Sequence, residues 1–175
     1  EIRRKMNFEE VKRIVKRVQE KGNVHQHLDL IAGLPYEDYE RFAQSFRDVY
    51  ALHPEQLQLG FLKVLKGSYM HEKTEDYQLL YQDRPPFEVL STKWLSYDDV
   101  IRLKGVEEMV EVYYNSGQFV NTLRLLEEEF TDTFALYENL SRYYEENGLH
   151  MINHSRITRY EVLFAFIKAC VEKNV

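Results

Sequence analysis

Apolar residues recur along this chain with two different periods, and the change of period marks its elements. Phe8, Val11, Ile14, Val15 and Val18 fall at helical spacing behind Asn7, a good N-cap, and Gly22 ends that pattern. From Val24 to Ala32 the period shortens to two. This predicts a strand with Val24, Leu28 and Leu30 on one face and His25, His27, Asp29 and Ile31 on the other. Gly33-Leu34-Pro35 then turns the chain into a second helix, which is expected to open with Tyr36, Glu37 and Asp38. It carries Phe42, Phe46, Val49 and Leu52 and is stopped by Pro54. Gln56 to Leu65 reads as a second strand, closed by Lys66-Gly67-Ser68. Helix, strand, helix, strand is the order of a parallel α/β layer, yet two strands alone make neither a closed barrel nor a stable open sheet.

The middle of the chain has no strong period. Tyr77 to Gln82 suits a short strand, Arg84-Pro85-Pro86 breaks any helix, and Phe87 to Ser91 is extended. After Trp94 the pattern becomes helical throughout. Ser96 with Asp99 makes a capping box, and Val100, Leu103, Val106, Met109, Val110 and Tyr113 carry that helix to Gly117. Phe119, Leu123, Leu126 and Phe130 form the next helix. Phe134, Tyr137, Leu140 and Tyr144 form another, ended by Gly148. Thr158 with Glu161 is expected to cap a last helix bearing Leu163, Phe166, Ile167 and Cys170. The second half therefore reads as a helical bundle, with the division at residues 91–96 and domains at 1–93 and 94–175.

Composition narrows the function classes. Apolar residues make up 44% of the chain and charged residues 30%, so it has the means to fold. A net charge of −6 argues against a general nucleic-acid binder. No apolar run approaches the ~20 residues a membrane-spanning helix needs. Glu1-Ile2-Arg3-Arg4-Lys5 reads as a charged lead into a helix rather than a signal peptide. Cys170 is the single cysteine, which excludes an internal disulfide and an all-cysteine metal site and points to a reducing, cytoplasmic setting. The 13 Tyr and 10 Phe fall mostly at helical spacing, as core residues do.

Candidate chemistry centres on Asp29. A carboxylate within a strand is costly unless it meets a partner or a ligand, and a polar residue near the C-terminal end of such a strand is where a β/α barrel keeps its binding groups. Asp29 can accept hydrogen bonds from a ribose diol, or it can cap a backbone group or pair with a Lys or Arg. His25 and His27 share its face, as metal ligands sometimes do, but only Asp29 offers a third ligand, and a satisfied histidine pair is the plainer reading. His150 and His154 are i, i+4 only in a helix, and Asn153 and the lack of an acidic partner argue against zinc. Gly60 allows a close backbone approach or marks a bulge, and Lys63 reads as a solvated lysine. Glu37 and Asp38 already occupy the anion-attracting field of the helix they open. Glu127-Glu128-Glu129 reads as a solvated helix face, and Lys12, Arg13, Lys16 and Arg17 as the outer face of the first helix. Trp94, Tyr113 and Tyr114 read as the packing joint between the halves.

Asp29-Leu30-Ile31-Ala32-Gly33-Leu34-Pro35, the following Phe42 and Pro54 resemble the second half of a radical S-adenosylmethionine enzyme, around the fifth and sixth strands of its partial barrel. Oxygen-independent coproporphyrinogen oxidases and cobalamin-binding radical enzymes carry an Asp-Leu-Ile-x-Gly-Leu-Pro run there. Gly60-Phe61-Leu62-Lys63, Gly67-Ser68, Pro86-Phe87-Glu88-Val89-Leu90-Ser91-Thr92 and Tyr113-Tyr114-Asn115-Ser116-Gly117 are similar to one subgroup. Its members usually add a cobalamin-binding domain in front and an uncharacterised helical domain behind. They often carry the loose label of anaerobic Mg-protoporphyrin IX monomethyl ester oxidative cyclase, which does not identify a porphyrin substrate.

The resemblance implies a fold, α/β plus all-α: the C-terminal part of a partial (β/α) barrel, then a helical bundle. It implies S-adenosylmethionine, a 4Fe-4S cluster and, in the subgroup, cobalamin as the cofactors of the whole enzyme. Asp29 is placed at the ribose of S-adenosylmethionine, and Lys63 where the sixth strand's backbone passes the adenine. The family's three closely spaced cluster cysteines are absent, and so are the first barrel strands. The chain is therefore expected to be a C-terminal fragment, inactive alone, whose partners are the missing N-terminal part and an unknown small-molecule substrate. Exposed sheet edges would favour a homo-oligomer or an edge covered by the tail. A competing reading makes the helical half an interaction or substrate-recognition module on a non-catalytic α/β scaffold. A third makes a small independent enzyme of His25, His27 and Asp29.

Overall fold

A computed structural model describes residues 7–130, 132–150 and 152–172, so the charged lead at residues 1–5 lies outside the described residues. Helix α1 (Phe8–Gln19) opens where Asn7 Oδ1 accepts the backbone N–H groups of Glu9 at 3.1 Å and Glu10 at 3.4 Å. Strand β1 (His27–Ala32), helix α2 (Tyr39–Tyr50) and strand β2 (Gln56–Phe61) follow, and β1 and β2 pair in parallel with Asp29 opposite Gln58. Strand β1 is shorter than the alternation from Val24 suggests. Its partner begins only at Gln56, after Pro54, which has no N–H to offer a ladder, and Gln56 N–H reaches back to the Gln26 carbonyl at 3.1 Å. Helix α2 starts three residues later than its sequence suggests. Asp38 is its N-cap, accepting Arg41 N–H at 2.9 Å, and Tyr36 lies outside the helix at φ +65°.

Strand β2 also stops early. Residues 62–64 leave β1 to meet a hairpin whose two extended pieces the sequence suggested, at Tyr77 to Gln82 and Phe87 to Ser91, without their pairing: Val89 N–H donates to the Leu62 carbonyl at 2.8 Å, Val64 N–H to Phe87 at 2.9 Å, and Lys63 bridges Glu88. The hairpin consists of β3 (Leu80–Tyr81) and β4 (Val89–Ser91), antiparallel and irregular in register, and a short helix α3 (Tyr69–Glu72), capped by Ser68, precedes it.

The two edges of the parallel pair differ. The carbonyls of Gln26 and Ala32 serve Gln56 and Leu62, so even-numbered residues of β1 turn their N–H and C=O toward β2. Those of His27, Asp29 and Ile31 face outward, and no strand pairs with them among the described residues. The far edge of β2 is closed by the helical half. Helix α4 (Tyr97–Met109) runs into a π-helical turn (Val110–Asn115), which sets the Asn115 carboxamide on the backbone of Leu57 and the Tyr114 hydroxyl on the carbonyl of Pro54. A π turn inserts one residue per turn, and here it points two consecutive side chains at the sheet edge.

Helix α5 (Val120–Glu129), α6 (Thr133–Glu146) and α7 (Arg156–Glu172) complete the fold. Ser96 and Asp99 form the expected capping box of α4, with Asp99 N–H on Ser96 Oγ at 3.1 Å and Ser96 N–H on Asp99 Oδ2 at 3.1 Å. The cap of α7 differs from expectation: Ser155 Oγ, not Thr158, accepts the orphan N–H, that of Thr158 at 3.2 Å. The core runs unbroken from the parallel pair into the bundle. Phe42, Phe46, Tyr50 and Leu57 lie within it together with Val106, Met109 and Tyr137, all buried. Each such side chain contributes ~1.5–3 kcal/mol of transfer free energy. A bidentate pair pins the junction, Arg47 Nε and Nη2 donating to Asp132 at 2.9 and 2.7 Å, while Asp132 also caps α6. The result is a mixed α/β fold with a helical half; no barrel closes among the described residues.

Candidate functional site

In a parallel α/β layer, ligands gather beyond the C-terminal ends of the strands. Here that end is built by the turn after β1. Gly33 takes φ +87°, and a methyl there would lie 2.8 Å from Val89 Cγ1, so the turn is shaped for a residue with no side chain. Glu37 N–H donates to the Leu34 carbonyl at 3.2 Å, closing a turn with Pro35 second and Tyr36 third at φ +65°. This is the type II pattern, whose third position ordinarily takes glycine. Tyr36 holds the left-handed conformation at a cost of ~1–2 kcal/mol. Tyr36 is 50% exposed, and its ring packs on Trp94 at 4.7 Å between centroids, with Tyr77 at 6.3 Å. Trp94 thus joins the two halves, as Tyr114 does by packing 5.1 Å from Tyr50.

Beside the turn, Glu37 is half-buried. Burial pushes its carboxyl up to about 7, although the Ser45 hydroxyl, 3.3 Å away, and Arg41 act in the opposite direction. Its Oε2 is buried without a hydrogen-bond partner. Sequence reasoning read Glu37 as a first-turn helix acid; its burial comes from the turn folding it back toward Ser45 on α2.

Asp29 projects from the exposed, helix-free face of β1, beside His27 and Ile31 and across from Gln58. Leu28 and Leu30 turn toward the helices. Asp29 therefore lies on the exposed face rather than buried in the strand, and no side chain among the described residues donates to it. Lys63 is exposed, and its backbone sits at the Glu88 bridge. Gly60 lies opposite Ile31, and a methyl there would rest 3.7 Å from the Leu30 carbonyl, ordinary contact with no bulge. Asp29 and Gly60 thus share one face of neighbouring parallel strands.

The histidine readings resolve differently. His25 Nδ1 and His27 Nε2 lie 2.9 Å apart, within hydrogen-bonding distance, so each ring is satisfied by the other. No group of three His, Cys, Asp or Glu side chains suited to a metal occurs among the described residues. His150 and His154 are not on a helix. His150 does have an acidic partner, Glu108 at 2.6 Å, and His154 reaches the Leu149 carbonyl at 2.9 Å, so both act in local structure. Glu127 is no solvated face residue: it accepts from the Tyr50 hydroxyl, which also lies 3.0 Å from that of Tyr137. Burial, then the neighbouring Tyr137 and Glu127, hold the Tyr50 phenol well above its ordinary value.

The arrangement is a parallel strand–helix–strand layer continued by a helical domain that packs against one sheet edge. The chain belongs to a family described as a protein of unknown function (DUF4080), which matches residues 75–175. That is a domain found in radical S-adenosylmethionine and cobalamin-binding proteins. The match begins ahead of Tyr77 and so takes in the β3–β4 hairpin and Trp94 as well as the helices. No curated protein matches the chain. No helix among the described residues is long and apolar enough to cross a membrane.

Proposed function

We propose that this chain is the C-terminal segment of a radical S-adenosylmethionine enzyme: the last two strands of a partial β/α barrel followed by its helical domain. Membership of the DUF4080 family carries this reading. The one-sided sheet supports it. Asn115 and Tyr114 end the sheet at β2, as befits a last strand, while the edge of β1 and the adjoining apolar groove between α1 and α2 stay open to a preceding strand.

In this reading Asp29 accepts the hydroxyls of the ribose of S-adenosylmethionine, and the backbone at Lys63 passes its adenine. The residues present do not fit the iron–sulfur cluster, since the only cysteine, Cys170, lies on α7, far along the chain from β1. Its ligands, and the reductive cleavage that it supports, belong to sequence ahead of this segment, as does any cobalamin site. The segment alone is inactive. A second reading, an interaction module, draws on α7, which shows Ile157 (70% exposed) and Phe164 (60% exposed) on the face opposite buried Leu163 and Phe166.

The upstream reading frame is the direct test: Cys-x-x-x-Cys-x-x-Cys ahead of α1 is expected, and its absence ends the proposal. In the longer polypeptide, S-adenosylmethionine at ~100 times its dissociation constant should stabilise the fold by ~2.7 kcal/mol, and Asp29→Ala should remove most of that gain. No stabilisation at all would favour the interaction module.

A further inference from the structure

We propose that the ring of Tyr36 is a stacking wall for a planar heteroaromatic ring of the substrate, with Trp94 as its backing. It rests on the reading above only in taking the C-terminal end of the sheet as the substrate side.

Three observations converge. The third position of the Leu34–Glu37 turn calls for glycine, yet a tyrosine is held there at φ +65°. A strained side chain persists only where the surroundings over-determine it, and such outliers gather at ligand sites. The cluster has a closed base and one open side: Tyr77 is 6% exposed, its ring is 5.4 Å from that of Trp94, and Tyr36 lies over both with half its surface in solvent. A ring recruited only to join the halves would be buried on both faces, as Tyr50 and Tyr137 are at the other joint. The third observation is place. Tyr36 follows the last residues of β1, where Gly33 brings the backbone against Val89, so it stands at the end where both parallel strands finish. An aromatic face fixed in this way attracts flat π-systems in offset or tilted stacks, with little dependence on which ring is offered.

Trp94 is the only tryptophan in the chain, so its emission reports directly on what meets Tyr36. Adenosine is the probe and ribose the ring-free control, titrated into the wild type, Tyr36→Phe and Tyr36→Gly, with the thermal midpoint of each protein recorded. The proposal expects a saturable change in Trp94 emission with adenosine and none with ribose. Tyr36→Phe should retain it, and Tyr36→Gly should weaken it at least tenfold while keeping or raising the midpoint, because the left-handed strain is gone. It is overturned if adenosine gives no saturable change in the wild type, or if ribose does as much. It is also overturned if Tyr36→Gly lowers the midpoint and leaves the titration unaltered, since the ring is then packing alone. An upstream frame without cluster cysteines would end the radical reading and leave this titration untouched.

Discussion

The side chain of Asn115 pairs with both backbone groups of Leu57, accepting its N–H at Oδ1 and donating from Nδ2 to its C=O, each at 3.0 Å. A carboxamide is a peptide group in miniature, so one residue of the helical half does the work of a neighbouring strand. It satisfies the outward backbone groups of β2 at Leu57, where another chain's strand could otherwise pair. Leu57 is fully buried, and water cannot replace the lost partner. Asn115→Ala should therefore cost about 1–3 kcal/mol, the penalty for stranding buried backbone polar groups. Asn115→Asp keeps the acceptor, loses the donor and sets a second carboxylate beside Glu111, which now takes the other Nδ2 hydrogen at 2.9 Å. It should destabilise by a similar amount. Urea unfolding of the three proteins checks both; an unchanged midpoint for Asn115→Ala would mean the edge is held some other way.

Much of this fold was legible because local signals agreed with it. Asn7, Ser96 and Asp99 cap as written, and the apolar rows of α2, α4 and α6 became the buried rows. The alternation through Leu28, Asp29 and Leu30 put the leucines toward the helices and the aspartate on the open face. What stayed hidden depends on partners distant in sequence. Short extended pieces at Tyr77 to Gln82 and Phe87 to Ser91 were legible, but not that Leu80–Tyr81 and Val89–Ser91 pair, nor that residues 62–64 bend away from β1 to meet them. Asn115 and Leu57 are 58 positions apart. Tyr36 and Glu37 were read into a helix because nothing in their side chains reveals a left-handed turn. Pro35, a residue favoured at the second position of such turns, was the one hint the sequence offered.

The Glu37 carboxyl gives stability a pH dependence of definite sign. Burial lifts its folded value to about 7, above the ordinary 4.5. The folded state therefore holds a proton that the unfolded chain releases. Stability from this group is present in full below the unfolded value, falls as pH rises between the two, and is flat beyond the folded value. The loss should be on the order of 1–2 kcal/mol for a group still half-exposed to solvent. Denaturation at pH 5, 6, 7 and 8 should show the wild type weakening along that series. Glu37→Gln should lose that component of the slope and be the more stable protein at pH 8. Parallel curves for the two would mean Glu37 titrates as it does in the unfolded chain.

Gly33 combines two constraints that a single substitution breaks together. Alanine there would hold φ at +87° and drive its methyl to 2.8 Å from Val89 Cγ1. Left-handed strain of ~1–2 kcal/mol adds to the packing cost, so Gly33→Ala should lose roughly 2–4 kcal/mol. Measured against Val89→Ala, which empties part of a fully buried site and has its own cost, Gly33→Ala should lose only the backbone part. No loss against that background would show that the backbone conformation itself is cheap at this turn.

The open edge of β1 makes its own signature in hydrogen exchange. Leu28 and Leu30 present their amides to β2, whereas those of His27, Asp29 and Ile31 point away from it. In the chain as given, the first set should exchange only through opening of the sheet, and the second at rates close to those of an unstructured peptide. Asp29→Asn should shift stability by no more than ~0.5 kcal/mol, because an exposed side chain with no hydrogen-bond or ion-pair partner among the described residues has little to lose. Together these separate binding from architecture: a residue kept for the fold would register in the unfolding midpoint, and one kept for a ligand would register only when the ligand is present. Protection of His27, Asp29 and Ile31 that grows with protein concentration would instead mean that a second copy occupies the edge, and the strand position assigned to a preceding segment would then be open to the chain's own kind.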